Sequence, residues 1–578
     1  MPRTVSFLYA VTLAAILFDS LLFLGLVLGL GLPWVVTSRF EAAEKLALGA
    51  GAGLAQIYGF AWIVYLVGLS PAAFLALPVL ATMAACARLR PLVIYFQDPE
   101  VRGLSGRQLL FIAWCLGWLA LVRSYGGGEW ASDWYEHYER ARFFLDRQPL
   151  HALFLDGSNL PARPPFANLV TGAGLALFGA DYPHFQLFTT LFSALVFLPG
   201  TLLARHFARG RSGVDGVLLL MLMLSPLVVQ NATFAWTKLP AAFFVLLAVA
   251  FYARGLTEAE PARRTIAIGA VSAALLTHYS AGPYLVALAV AQGGLAWLRR
   301  RKGGLWRELA LQTGVAVALL ATWLAWSVAH YGIPTTVFSA TGTPGNAGVS
   351  LAGWLHRRAW NAFVTLIPHP LRPADYRFIA QTSTLGFVRD YLFNIYQTTL
   401  PGAFGVAGLV LFVWHAIKRP PLLADRIERL FWSWFFASTF TLGVAAAYWT
   451  DRWGVVHICL LPVVIIGFAW LAARFADVPT LVRRLWAGAL LADALLGIVL
   501  QFYLQATVHV APIALSDLTR EGILELSRVT MKNMQLKLLM GCKFIADGGF
   551  SSSWVVALLS VVMILVAWQA FAVRSPRS

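Results

Sequence analysis

The stretch Glu129–Arg140, E-W-A-S-D-W-Y-E-H-Y-E-R, is a polar island between apolar runs, in a chain only 12% charged. Glu129, Asp133, Glu136 and Glu139 lie within it, and carboxylates are costly beside a bilayer, so their grouping invites a functional reading. On a helix, Glu129, Asp133, Glu136 and Arg140 share one face, at i, i+4, i+7 and i+11. Trp130, Trp134 and Tyr138 share the neighbouring one. That pattern predicts a helix in the membrane interface, aromatics toward lipid and carboxylates toward water. Two readings follow, an aromatic anchor with a solvated face or a site.

Outward from the island, apolar runs of roughly 18 or more residues recur along nearly the whole chain. With 59% hydrophobic residues and a mean hydropathy of +0.70, they place it among polytopic helical membrane proteins. The first run, Val5–Val36, is too long for a signal-peptide core and reads as a retained span. The expected spans are 5–36, 45–69, 71–88, 108–123, 185–205, 214–231, 238–254, 265–281, 282–298, 309–330, 398–417, 430–449, 454–474, 483–505 and 553–573. The fold class is therefore all-α, a polytopic membrane bundle of about 13–15 transmembrane helices, with interfacial helices in its outer loops.

The net charge of +17 resides mostly in short loops beside spans, such as Arg205–Arg211, Arg299–Arg307 and Lys418–Arg429. Positive-inside topology explains such loops without a nucleic-acid partner. Placing them in the cytoplasm sends 124–184, 331–397 and 506–552 to the outer face. It also places Met1 there, if the first hundred residues hold three spans, one of which could instead be re-entrant. The short apolar stretch Phe166–Phe178 then lies on the membrane rather than crossing it. Cys86, Cys115, Cys459 and Cys542 lack metal-ligand spacing and indicate no disulfide framework. No P-loop, dinucleotide fingerprint or zinc-protease motif stands in its proper context, so neither metal nor nucleotide cofactor is expected.

Sorted by membrane face, polar residues from distant segments gather at the outer one. Asp133, Glu136, His137 and Arg163 belong to the first outer segment. Thr237 and Lys238 open a span; Thr277, His278 and Tyr279 close another. Asp451 and Arg452 form a turn with His457 just inside, and the second large loop holds Arg357, Arg358, His369, Arg372 and Arg377. Each has a plainer reading: Lys238 as a snorkelling cation, His278 as a satisfied span-end residue, Asp451–Arg452 as a turn ion pair. Asp19 and Asp493 fall inside spans, as a proton path or as caps on buried groups.

Several of these segments resemble the C-type (GT-C) membrane glycosyltransferases, particularly the branch of protein mannosyltransferases and aminoarabinose transferases. Asp133-Trp134-Tyr135 with Tyr138 and Ala141 resembles that family's first-loop acidic motif. Arg163-Pro164-Pro165 followed by Phe178-Gly179 resembles its R-P-P-L and F-G landmarks. Trp236–Leu246, W-T-K-L-P-A-A-F-F-V-L, and Thr277-His278-Tyr279 are further matches. The resemblance covers about Gln108 to Gln505, and it departs where Trp134 follows Asp133 in place of an adjacent Asp-Glu pair. It implies a GT-C-like catalytic domain over 108–505, extra N-terminal helices over 1–107, and an outer segment with a last helix over 506–578.

It further implies inverting transfer of a sugar from a polyprenyl-phosphate donor to a glycan, lipid or protein acceptor. Asp133 is the expected base, with Glu136 as understudy. Arg163, Lys238, His278 and Arg452 are candidates for the donor phosphate. Trp134, Tyr135, Tyr279, His369 and Arg372 are candidates for substrate contact. The expected location is a bacterial inner membrane with the site facing the periplasm. Two alternatives stand beside it: a polymerase or ligase of polyprenyl-diphosphate glycans using the 331–397 loop, and a lipid-linked sugar flippase.

Overall fold

Apolar runs of this length leave the backbone no water to bond with in a bilayer, and helix is the local solution that satisfies every peptide group. The computed structural model describes residues 3–123, 125, 133–155, 157–298, 305–338, 349–368, 384–418, 426–447, 454–508, 537, 540–548, 558–559 and 561–565, with no strand among them. In order, the helices are α1 (Arg3–Val35), α2 (Ala42–Val67), α3 (Ala76–Ala87), α4 (Leu89–Gln97), α5 (Pro99–Leu119), α6 (Asp133–Asp146), α7 (Phe166–Phe178) and α8 (Tyr182–Ala194). There follow α9 (Phe197–Ala208), α10 (Val214–Met223), α11 (Pro226–Thr233), α12 (Lys238–Thr257), α13 (Pro261–Thr277), α14 (Gly282–Leu298) and α15 (Leu305–Phe338). The last are α16 (Leu351–Leu366), α17 (Thr384–Thr398), α18 (Leu400–Lys418), α19 (Arg426–Ala446), α20 (Leu461–Arg474), α21 (Thr480–Ala494) and α22 (Gln501–Thr507).

Among the described residues, nine helices are long and apolar enough to cross a membrane, or up to eleven if each bent pair is one span. The protein is a helical membrane protein. α5, α13 and α19 stand where the sequence places three further spans, and each begins with an arginine-bearing turn. The last expected span, 553–573, is described only at 558–559 and 561–565.

The two bent pairs have identifiable causes. α10 and α11 meet at 66° where Pro226 cannot continue the helix and the Ser225 hydroxyl caps the next one. The 3-10 turn Pro71–Leu75 with α3 meets α4 at 78°, around Arg88. This bent pair stands where the sequence places its third apolar segment. The α1–α2 turn joins one end of the bundle, where Arg39 pairs with Glu260 and Arg254 with Glu41. Leu69, past α2, sits at the other end against Arg147. α1 and α2 pack through glycine: a Cβ on Gly53 would collide with the Val27 backbone. They belong to the bundle, α1 lying on α8 and α2 on α7 and α9.

The described parts of the basic loops collect at the first of these ends, and carboxylates lace them together. Arg264 pairs with Glu308 at 2.7 Å, Arg211 with Asp477 at 2.7 Å and His206 with Glu428 at 2.8 Å. The opposite end holds α6, α7 and the candidate site. There α7 is buried from Phe166 to Leu175 among α2, α6 and α8. Its small residues allow that approach, since a Cβ on Gly174 would meet the Phe188 ring at 2.7 Å.

Asp19 and Asp493 both have partners. Asp19 lies 3.4 Å from His184, at the start of α8. Asp493 caps an interruption in α18: Gly405 has φ 66°, the Ala407 N–H donates to Asp493 at 2.9 Å, and the Tyr396 hydroxyl donates at 3.4 Å. Within a bilayer no water could satisfy that N–H. Asp493→Ala should therefore cost about 1–3 kcal/mol of stability, read as a lower melting temperature in detergent, with Asp493→Asn losing less because it keeps an acceptor.

Candidate active site

The site is assembled from helix ends. Asp133 begins α6; Arg163 follows the 3-10 turn Leu160–Ala162; Lys238 begins α12; His278 ends α13; His457 lies in the π-helical turn Val456–Leu460. π-turns inside helices recur at functional sites. The joint before α12 is strained, because Ala235 holds φ 61°, a left-handed conformation that costs an L-residue roughly 1–2 kcal/mol. This joint turns the Trp236 indole toward α6, where Nε1 donates to Asp133 Oδ2 at 3.1 Å. The Lys238 ammonium lies over the Trp236 ring, 3.6 Å from its centroid.

Glu136, one turn after Asp133, is wholly buried. Arg140 Nε and Nη2 donate to its Oε1 at 3.0 and 2.8 Å, and Arg163 Nη2 approaches Oε2 at 3.4 Å. Arg140 also donates to the Leu160 carbonyl at 2.7 Å and to Ser158 Oγ at 2.7 Å, clamping the loop that leads to Arg163. The Glu139 carboxylate accepts from the Leu155 N–H at 2.9 Å. From the other side, the Tyr279 hydroxyl donates to the Pro161 carbonyl at 3.1 Å and accepts from Trp323 Nε1 at 3.0 Å.

Charges in this group act on one another. Asp133 and Arg163 lie within electrostatic reach of Lys238, and Lys238, Arg163 and His137 within reach of His278. The Ser280 N–H donates to His278 Nδ1 at 3.1 Å, so this nitrogen is an acceptor and the ring proton resides on Nε2. His137 is buried between Asn168 Oδ1, 3.3 Å from Nδ1, and the Thr237 hydroxyl, 3.5 Å from Nε2. Burial, then the positive charges of Arg163 and Arg140, hold its pKa well below the usual imidazole value, and it stays neutral.

A narrow cleft runs from Lys238 along α12. Ala241, Ala242 and Val245 line one wall, with Tyr284 of α14 and Leu461 of α20 opposite. Lys238 thus stands at one end of an apolar trough.

Asp133, Glu136, Arg163, Lys238 and His278 are thus brought together, with Tyr279 beside them. Trp134 and Tyr135 are not equally placed. Trp134 is fully buried among Tyr125, Tyr182 and Phe544, and Tyr135 is half-buried against it. α6 starts at Asp133 and carries its Glu136–Arg140 face inward, the reverse of the solvated carboxylate face read from the sequence. The ion pairs to Arg140 and Arg163 make that burial tolerable. Glu129, Trp130, His369, Arg372, Arg377, Asp451 and Arg452 lie outside the described residues. Among those described, no group of three His, Cys, Asp or Glu residues could hold a metal ion. Arg140 and Trp236 were not singled out as site residues by sequence. The i, i+4 spacing to Glu136 signals the first; nothing local signals the second.

No protein-family model matches the chain, and no curated protein matches it. Among solved structures the chain is similar to ArnT from Cupriavidus metallidurans. It is 18% identical to the form bound to undecaprenyl phosphate, with a TM-score of 0.43, covering 81% of this chain and 76% of that one. The apo form gives 17% identity, the same TM-score and the same coverage. Arabinosyltransferase EmbB from Mycobacterium smegmatis is 14% identical, with a TM-score of 0.37, covering 86% of this chain and 45% of that one. Both are glycosyltransferases of the C type, the class whose motifs the quoted segments resemble.

Two outcomes follow from the geometry. Glu136→Ala would leave two guanidinium groups without their carboxylate and should cost about 3–5 kcal/mol, seen as a large fall in melting temperature. His137 protonates near pH 6.5 when unfolded but stays neutral when folded, so its contribution is present above about that pH and is lost as pH falls below it. The melting temperature of His137→Gln should accordingly drop less than wild type between pH 7.5 and 5.

Proposed function

We propose that this protein transfers a sugar, with inversion, from a polyprenyl-phosphate donor to a glycan, lipid or protein acceptor. The observation that carries the proposal is Lys238: it lines one end of an apolar cleft and lies within electrostatic reach of Asp133. A phosphate on an isoprenoid chain has the same two parts, an anionic head and an apolar tail. Lys238, Arg163 and His278 Nε2–H are suitable donors to such a phosphate, and the cleft along α12 is suited to the first part of its chain.

The reaction breaks the bond between the anomeric carbon and the phosphate oxygen and forms one to an acceptor hydroxyl. The departing phosphate keeps the electron pair, and its charge is stabilised by the cations around it. Asp133 takes the proton of the attacking hydroxyl, with the Trp236 indole holding the carboxylate in place. Glu136 is the less suitable base, since two guanidinium groups favour its charged form and oppose its taking a proton. Its part is to hold Arg163. The described parts of the basic loops gather at the opposite end of the bundle, which supports an outer, periplasmic position for the site in a bacterial inner membrane.

In reconstituted enzyme supplied with a polyprenyl-phosphate sugar, Asp133→Asn should lower the transfer rate by about 10²–10⁴-fold. Binding of the lipid phosphate should survive in Asp133→Asn and weaken in Lys238→Ala. Unaltered transfer by Asp133→Asn would remove Asp133 as the base.

A further inference from the structure

A second recess, shallow and open at its rim, lies on the same face of the bundle at the far end of α6 from Asp133. α2, the 3-10 turn after it, α6 and α7 enclose it. Ala61, Tyr65, Phe74, Phe144, Leu169 and Gly172 make it mostly apolar. Around it Ile63, Leu66, Val67 and Leu75 are exposed large apolar side chains, a surface suited to acyl chains.

One cation stands at this recess. Arg147 lines it and is exposed. Among the described residues its bonds are to backbone carbonyls, those of Val64 and Leu69, both made through Nη2. That contact joins α6 to the end of α2, yet it leaves Nη1 and Nε for another acceptor, and no carboxylate among the described residues pairs with this guanidinium. The backbone adds a second observation. Arg147 follows the last residue of α6 with φ 52°, and the Gln148 N–H closes back on the Phe143 carbonyl at 3.1 Å. This is the helix-ending position where glycine is least strained. A long cationic side chain stands there in spite of the strain.

We propose that the recess between α2, α6 and α7 binds an anionic lipid of the surrounding leaflet, with an acyl chain among the apolar residues and the headgroup phosphate on Arg147. Charge complementarity selects the headgroup, since a guanidinium offers paired donors to phosphate oxygens. The apolar, lipid-facing rim selects a lipid over a soluble phosphate. A lipid held here would bridge the end of α2 and the end of α6, the helix whose other end carries Asp133.

The experiment is native mass spectrometry of the full chain in zwitterionic detergent, with phosphatidylglycerol or phosphatidylcholine added. Phosphatidylglycerol should bind more tightly, by about fivefold for one basic residue near the headgroup. Arg147→Gln, which keeps an amide donor for the two carbonyls, should erase that preference while still binding phosphatidylcholine. Gly172→Leu, which fills the recess, should weaken both lipids. Equal binding of the two lipids to wild type, a preference that survives in Arg147→Gln, or unaltered binding by Gly172→Leu would each overturn the proposal. Melting temperatures without lipid report folding. If Arg147→Gln melts early, Arg147→Lys takes its place: it must retain the preference, and losing it while folded overturns the proposal. The readout is lipid alone and is independent of sugar transfer.

Discussion

The Glu136 carboxylate, buried between the guanidinium groups of Arg140 and Arg163, is the constraint on which the site depends. Burying these charges is costly, and such a triad is a poor source of stability compared with apolar packing. Its value lies in geometry. A carboxylate that cannot reach water must be met by its partners, so α6 and the loop carrying Arg163 have one relative position. Arg140 ties Leu160 from below, and Tyr279 ties Pro161 from the end of α13. The loop is held from two sides, and Arg163 is delivered to the space beside Lys238 and His278.

A membrane interior penalises irregular backbone, and the bundle confines its irregularities to places where the freed groups are met. The break in α18 is capped by Asp493, and the bend between α10 and α11 by Ser225. Near the site the same device has chemical use. The strained Ala235 joint aims Trp236 and Lys238, a π-turn carries His457, and the extended backbone of His278 lets its ring accept from Ser280. Helix ends are where polar side chains cost least in a bilayer, and the site is composed almost wholly of them. The opposite end of the bundle spends its charge differently, on ion pairs that fasten loops to one another.

Most of the long apolar helices were legible in the sequence because apolar run length and basic loops are local signals, whereas α4, α16 and α17 lie in stretches that read as loops. The i, i+4 pairing of Glu136 with Arg140 was legible for the same reason. One reading turns on faces rather than lengths, and there the structure differs. The sequence pattern puts the carboxylates of α6 in water, yet Glu136 is carried inward. Periodicity marks which residues share a face, but it does not say whether lipid, water or another helix covers it.

The sequence by itself determined that this is a helical membrane protein, roughly where most of its long apolar helices run, and that Asp133, Lys238 and His278 stand near helix ends. Only the tertiary structure decided which ends meet. Asp133 and Trp236 are 103 residues apart, and nothing near either announces the other. Hydropathy and helical period are properties of short segments. Which helices lie side by side in a bilayer is settled by the fit of small residues and by the few polar groups that must find partners, and that fit exists only once the chain is folded.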